Sequence, residues 1–165
     1  MKRLFLILLF SILGLNVSAQ EIKTLSGKVI AITDGDTFKL LTQDSTQIKI
    51  RVANIDCPEK KQPFYQKAKQ FTSEAIFSKN VTLKILKNDR YGRFVAEVIY
   101  NDSLELGHQL VKNGYAWHFI KYSNDPQLTT LENQAREKKL GLWSDPEAIA
   151  PWEWRSRKKQ KASKE

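Results

Sequence analysis

Three short polar segments carry most of the residue types in this chain that can act on a charged substrate. Asp34 and Asp36 flank a glycine in "ITDGDTFKL", and Arg51, Asp56 and Glu59 lie in "RVANIDCPE". The third segment, "DRYGRFVAEV", has arginines on both sides of a Tyr-Gly pair. Because carboxylates bind hard cations and guanidinium groups bind phosphate oxygens in pairs, the three segments together predict chemistry at a phosphate.

The reaction that these residue types predict is phosphodiester hydrolysis. Asp36 and Asp56 offer hard oxygen ligands that suit calcium or magnesium rather than zinc, and no Cys/His cluster in the sequence competes for a softer metal. Glu59 can act as a general base on a water molecule. Arg51 and Arg93 can stabilise the negative charge that develops on the phosphate oxygens in the transition state.

Short strands and amphipathic helices must position these residues. Alternating apolar segments predict five strands, at residues 26–33, 37–42, 46–55, 81–87 and 93–100. Apolar residues at helical spacing between Pro63 and Asn80 predict a helix, and two further helices are predicted to end at Gly114 and Gly141. Five strands interrupted by a helix after the third predict an α+β fold, a five-stranded barrel of the OB-fold type with about three α-helices.

The two ends of the chain differ from the single domain predicted at residues 20–154. Residues 1–19 combine a basic start, an apolar run and small residues, which predicts a signal peptide cleaved after Ala19 and export to the periplasm or the medium. Residues 155–165 hold six basic residues and one acid within a chain of formal net charge +9, and they are predicted to form a flexible basic tail. Such a tail either attracts polyanions or only keeps the protein soluble.

The order of the motifs resembles that of a known family. "DGDT", "RVANIDCPE" and "YGR", followed by "GYAWH", "AREKKLGLW" and "PWEWR", resemble the staphylococcal nuclease (thermonuclease) family over residues 25–154. The resemblance implies a calcium-dependent endonuclease on a five-stranded barrel that cleaves DNA and RNA to 3′-phosphate products. It implies no stable protein partner, a monomer, and no membrane association once the signal peptide is removed.

The resemblance also implies roles for individual residues where the motifs match. The implied calcium ligands are Asp36, Asp56 and the main-chain carbonyl of Cys57. The implied catalytic residues are Arg51, Glu59 and Arg93, of which Glu59 is the base and the two arginines hold the scissile phosphate. The residues implied to contact the nucleotide are Arg90, Tyr91 and Tyr122. Ile120 departs from the family pattern, since it stands where the nucleotide pocket has a tyrosine.

Two other functions are open at this point. A non-catalytic nucleic-acid-binding module on the same barrel is the first, because members of the family that lack the acids or arginines are of this kind. The second is a metal-independent ribonuclease with two catalytic histidines, for which His108 and His118 are the only candidates. Both histidines lie in segments where a structural role is more common. The single cysteine, Cys57, excludes an intramolecular disulfide and is expected to be buried.

Overall fold

The computed structural model describes residues 23–162, so the predicted signal peptide (1–19) and residues 163–165 of the predicted tail lie outside the described range. The strands are β1 (Lys23–Ile32), β2 (Thr37–Thr42), β3 (Gln47–Val52), β4 (Ile55–Asp56), β5 (Asn80–Asn88), β6 (Phe94–Tyr100), β7 (Leu104–Glu105) and β8 (Trp117–His118). The helices are α1 (Tyr65–Ile76), α2 (Leu106–Lys112), α3 (Pro126–Glu137) and α4 (Pro151–Ala162), with a short 3-10 helix at Gly141–Ser144.

Five of the strands form a closed barrel. β1 pairs antiparallel with both β2 and β5, β2 pairs with β3, and β5 pairs with β6. A parallel pairing between β3 and β6, in which Ile50 lies opposite Phe94, closes the barrel. The structure therefore confirms the predicted α+β class with a five-stranded barrel of the OB-fold type.

The alternation of side chains along each strand explains the apolar interior of the barrel. Each of the five strands contributes a fully buried residue, and these are Val29, Leu40, Ile50, Leu83 and Val98. Burying a side chain of this size stabilises the fold by about 1.5–3 kcal/mol. One register shift in β1 and one in β5 mark irregularities of the β-bulge kind, which increase strand bending and so help a sheet to close.

Helix α1 lies between β4 and β5 and packs on the barrel through Ala68, Thr72 and Ile76, which are buried. It begins at Tyr65 because Phe64, which follows a proline, adopts the left-handed conformation with φ 64°. α2 and α3 pack against each other, and an acidic side chain caps the amino-terminal end of each. All three helices lie where the sequence predicts them.

The fourth helix is a correction to the sequence analysis. Residues 155–162 were predicted to belong to a flexible tail, but they continue α4, which begins at Pro151. The helix is held at its start, because the Trp152 ring stacks on the Phe119 ring with centroids 5.0 Å apart and planes 6° from parallel. Neither α4 nor any other helix within residues 23–162 is long and apolar enough to cross a membrane.

Candidate active site

The two aspartates that the sequence analysis predicts as metal ligands come from separate elements. Asp36 lies in the turn between β1 and β2, and Asp56 ends the short strand β4. Both are nearly inaccessible, at 6% and 2% relative exposure. The turn is seated on α1, because the Thr72 hydroxyl donates a hydrogen bond of 2.6 Å to the Gly35 carbonyl. A buried hydrogen bond of this kind fixes the main chain that carries Asp36.

Arg51 joins these two acids. Its Nη2 atom lies 3.1 Å from Asp36 Oδ2 and 2.7 Å from Asp56 Oδ1. The guanidinium also donates to two main-chain carbonyls, those of Val52 at 2.8 Å and Ile55 at 3.0 Å. Arg51 therefore holds β4 against the end of β3 and brings the two carboxylates to one place.

Burial makes two carboxyl groups of this cluster harder to ionise. Burial, followed by the neighbouring Asp36 carboxylate, raises the pKa of Asp34 to about 7. Burial also raises the pKa of Asp56, although arginines that contact this carboxylate oppose the shift. Carboxyl pKa values raised in this way indicate that the cluster would be stabilised by additional positive charge.

The donor atoms suit a hard divalent cation. Two buried carboxylates converge on one nitrogen atom of Arg51, and the Cys57 N–H donates to Asp36 Oδ2 at 2.8 Å, which places the Cys57 main chain beside the pair. Within residues 23–162, no group of three or more His, Cys, Asp or Glu side chains is arranged to hold a metal ion. A cation here would take its remaining ligands from main-chain carbonyls and water, as calcium does. The residues fit calcium and do not fit zinc.

Glu59 lies at the edge of the cluster and is half exposed, at 39% for its side chain. Its main chain is fixed by Gln62, which is 7% exposed and uses both ends of its amide. Oε1 of Gln62 accepts from the Glu59 N–H at 2.9 Å, while Nε2 donates to the Ile149 carbonyl at 2.6 Å. The loop that carries Glu59 is thereby bonded to the segment that precedes α4.

Arg93 lies close to the cluster but is not joined to it as directly as Arg51. Its Nε donates to Asp89 Oδ2 at 2.7 Å, and its Nη1 lies 3.5 Å from the Thr37 hydroxyl. Thr37 in turn donates to Asp36 Oδ1 at 3.2 Å. Burial tends to raise the pKa of Asp89, but its hydrogen bonds with Arg93 and the Tyr91 N–H outweigh burial, so the pKa is lowered.

The three residues implied to contact the nucleotide are exposed near the β5–β6 turn. Tyr91 is 67% exposed, and the guanidinium groups of Arg90 and Arg93 lie 5.0 and 5.5 Å from its ring centroid. Tyr122 is 58% exposed, and Lys87 Nζ lies 5.2 Å from its ring centroid. Exposed aromatic rings beside cationic groups are the elements of a single-stranded nucleic-acid surface.

One residue of the cluster was assigned to the flexible tail by the sequence analysis. Arg155, on α4, donates from Nη2 to Asp56 Oδ2 at 2.8 Å and from Nη1 to Glu59 Oε1 at 2.6 Å. Arg155 therefore links Glu59, the predicted base, to Asp56, a predicted metal ligand. The signal was present in the "PWEWR" motif, but the basic run that follows it favoured a solvated tail.

Comparisons with known proteins agree with this geometry. The family model described as "Staphylococcal nuclease homologue" matches residues 49–145. The chain is 38% identical over 132 residues to an "Uncharacterized endonuclease" of Escherichia coli, which covers 80% of this chain and 86% of the relative. The chain belongs to the staphylococcal nuclease family. It is therefore a nuclease, a hydrolase of phosphodiester bonds.

Two further relatives support membership of the staphylococcal nuclease family. An "Uncharacterized endonuclease" of Haemophilus influenzae is 39% identical over 154 residues, which cover 93% of this chain and 84% of the relative. A "Micrococcal nuclease" of Shigella flexneri is 38% identical over 140 residues, which cover 78% of this chain and 79% of the relative.

The two histidines have structural partners in this nuclease fold. His108 Nε2 lies 3.0 Å from Asp125 Oδ2, which joins α2 to the start of α3. His118 is 4% exposed, and its Nδ1 lies 3.1 Å from the Thr129 hydroxyl. These contacts favour a structural role for both histidines over the two-histidine ribonuclease.

Proposed function

We propose that this chain is an exported, calcium-dependent endonuclease that hydrolyses DNA and RNA to products with 3′-phosphate ends. The observation that carries the proposal is the convergence of Asp36 and Asp56 on one nitrogen atom of Arg51, with Glu59 joined to the same cluster. Family membership supports the endonuclease activity, the oxygen donors support a hard divalent cation, and the choice of calcium follows from the family resemblance. The substrates and the product ends follow from the family resemblance.

The residues of this chain divide the work of the proposed reaction. Arg51 and Arg93 donate hydrogen bonds to the phosphate oxygens, where negative charge accumulates. Glu59 takes a proton from the attacking water, whose oxygen forms a bond to phosphorus while the bond from phosphorus to the 5′ oxygen breaks. The 5′ oxygen takes up a proton from solvent water as it leaves, so the phosphate stays on the 3′ side. Calcium held by Asp36, Asp56 and the Cys57 carbonyl would supply electrostatic stabilisation of this phosphate.

Digestion of nucleic acid with and without calcium tests this proposal. The mature chain is incubated with plasmid DNA and, separately, with RNA, in calcium, in magnesium, or in an excess of a calcium chelator. We expect digestion of both substrates in calcium, loss of digestion in chelator, and products with 3′-phosphate ends. Digestion that continues in chelator would contradict the calcium requirement, and 5′-phosphate ends would contradict the assigned direction of attack.

The isosteric variant Glu59→Gln tests the base. It removes the proton acceptor and keeps the shape, so kcat should fall by about 10²–10⁴-fold while the affinity for DNA changes little. Equal losses of turnover and affinity would contradict the role of Glu59. Binding is measured in chelator by fluorescence anisotropy, so that cleavage does not intervene.

Export is proposed from the sequence of residues 1–19. Expression of the full chain in a bacterial host followed by fractionation should yield a mature protein outside the cytoplasm that begins at Gln20. A full-length protein that stays in the cytoplasm would contradict this part of the proposal.

A further inference from the structure

Helix α4 inserts a guanidinium group between two acids of the proposed active site. Arg155 Nη2 lies 2.8 Å from Asp56 Oδ2, and Nη1 lies 2.6 Å from Glu59 Oε1 and 3.4 Å from Asp56 Oδ1. The Asp56 side chain is 3% exposed, whereas that of Glu59 is 39% exposed. One planar fork therefore joins a buried, fixed carboxylate to an exposed one.

The packing of α4 makes this contact more than the chance position of a long surface side chain. Trp152, one helical turn before Arg155, stacks on Phe119 and has its ring centroid 5.8 Å from that of Trp117. Residues three apart share a helix face, so the side of α4 that carries Trp152 also carries Arg155. The segment before the helix is fixed independently, by the hydrogen bond from Gln62 to the Ile149 carbonyl.

We propose that Arg155 is a positioning residue, which orients the Glu59 carboxylate beside Asp56, so that α4 is part of the active site. This inference rests on the proposed role of Glu59 as the base. Without Arg155, the glutamate side chain would sample several rotamers from a half-exposed position. The contact with Arg155 engages one carboxylate oxygen of Glu59, and the second oxygen can accept the proton of the attacking water.

The expected size of the effect follows from the cost of misplacing a catalytic group. A displacement of about 1 Å can lower a rate by about 100-fold. Replacing Arg155 should therefore lower kcat by about 10- to 100-fold and change KM by less than about threefold, because the phosphate is held by other arginines. Calcium binding in the absence of substrate should become tighter, since a cation that contacts Asp56 has been removed.

A double-mutant cycle separates positioning from other roles. The variants are Arg155→Ala, Glu59→Gln and the two combined, with Arg157→Ala as the matched control, because Arg157 lies on the same helix and is exposed. Turnover of a short single-stranded oligonucleotide is measured at saturating calcium, calcium affinity is measured by calorimetry without substrate, and folding is measured by thermal melting. If Arg155 acts through Glu59, Arg155→Ala lowers kcat in the wild-type background and has no further effect in the Glu59→Gln background.

The possible results distinguish failure of the role of Arg155 from failure of the proposed nuclease function. A kcat of Arg155→Ala within twofold of that of Arg157→Ala overturns the inference, and tighter calcium binding with unchanged kcat would identify Arg155 as a latch on the metal site instead. Losses that multiply in the double variant also overturn it. If Arg155→Ala does not fold, Arg155→Lys takes its place in the cycle and must also lower kcat. A wild-type protein without calcium-dependent cleavage refutes the proposed function. A Glu59→Gln variant without loss of activity refutes Glu59 as the base and, with it, the role of Arg155.

Discussion

Gly35 seats the turn that carries Asp36, and replacing it with alanine tests how tightly the site is packed. A Cβ atom at position 35 would lie 2.9 Å from the Cβ of Ala68 and 2.9 Å from both Cβ and Sγ of Cys57. Both neighbours are buried, and Ala68 belongs to α1, so neither can move freely. Overpacking of this kind costs about 1–3 kcal/mol, which is the loss of unfolding free energy that we expect for Gly35→Ala.

The same substitution should weaken calcium binding. The turn would have to move away from α1 by several tenths of an ångström, and the hydrogen bond from Thr72 to the Gly35 carbonyl would lengthen. Asp36 moves with the turn, whereas Asp56 remains on β4. If this displacement of Asp36 from Asp56 costs about 1.4 kcal/mol of calcium-binding free energy, the calcium Kd rises about tenfold.

Urea unfolding in chelator measures the stability, and titration calorimetry measures the calcium affinity. Thr72→Val perturbs the same turn without crowding and should shift both quantities in the same direction. Gly92→Ala is the control for calcium binding, because a Cβ there meets no atom within 4 Å and the calcium Kd should not change. The positive φ of +73° should itself lower the unfolding free energy of this control by about 1–2 kcal/mol. A Gly35→Ala protein within about 0.5 kcal/mol of the wild type, with unchanged calcium Kd, would refute the claim that close packing places Asp36.

Three further predictions concern charge. Asp34 has a pKa of about 7 in the fold and an ordinary value when unfolded, so its ionisation destabilises the protein as pH rises from about 4 through 7. In chelator, Asp34→Asn should therefore be more stable than the wild type by up to about 4 kcal/mol at pH 8 and by much less at pH 4. An equal gain in unfolding free energy at both pH values would contradict this prediction. Asp89→Ala releases Arg93 and also removes the acceptor of the Tyr91 and Arg93 N–H groups, so it should lower kcat/KM by about tenfold and lower the melting temperature as well. Unchanged kinetics would show that Arg93 needs no support. Salt dependence tests the four lysines that follow Arg155 on the basic segment, which are Lys158, Lys159, Lys161 and Lys164. Replacing them by glutamine should reduce the slope of log binding constant against log salt concentration, for single-stranded DNA, by up to about three. An unchanged slope would show that these lysines are solvated and do not contact DNA.

The sequence predicts the barrel well because the patterns that indicate strands and hairpins involve residues close together in the chain. Alternation between apolar and polar residues sets which face of each strand is buried, and the Asp-Gly-Asp turn sets the hairpin between β1 and β2. The short strands β7 and β8 have no such pattern and were not predicted, and β4 was predicted only as the end of a continuous strand at residues 46–55, which the structure divides into β3 and β4. β4 and β8 pair with each other across a long stretch of chain, as Ile55 does with His118, whereas β7 pairs with the nearby end of β6. Segments of two residues carry no periodicity that could reveal either pairing.

The sequence selects the candidate site residues but not the contacts that connect them. Residue types and motif order identified Asp36, Arg51, Asp56 and Glu59, and the structure brings these together. The role of Gln62 could not be predicted, because a glutamine in a loop has no distinctive pattern until its hydrogen bonds to Glu59 and the Ile149 carbonyl are known. Supporting residues of this kind depend on tertiary contacts between segments far apart in sequence.

Arg155 lies on a helix packed against the domain, although the charge composition of residues 155–165 predicted a flexible tail. A run of basic residues normally indicates a solvated segment, and this interpretation gives no weight to the tryptophans that precede the run. Helical spacing leads to a different result, because Pro151 favours a helix start and Trp152 and Arg155 then share one face. An aromatic residue that buries itself against the domain must carry its neighbour one turn later to the same surface, and that surface holds the acids. The sequence feature that predicts the contact is therefore the spacing of Trp152 and Arg155, and Trp152→Ala should lower kcat together with Arg155→Ala if α4 positions the base through this packing.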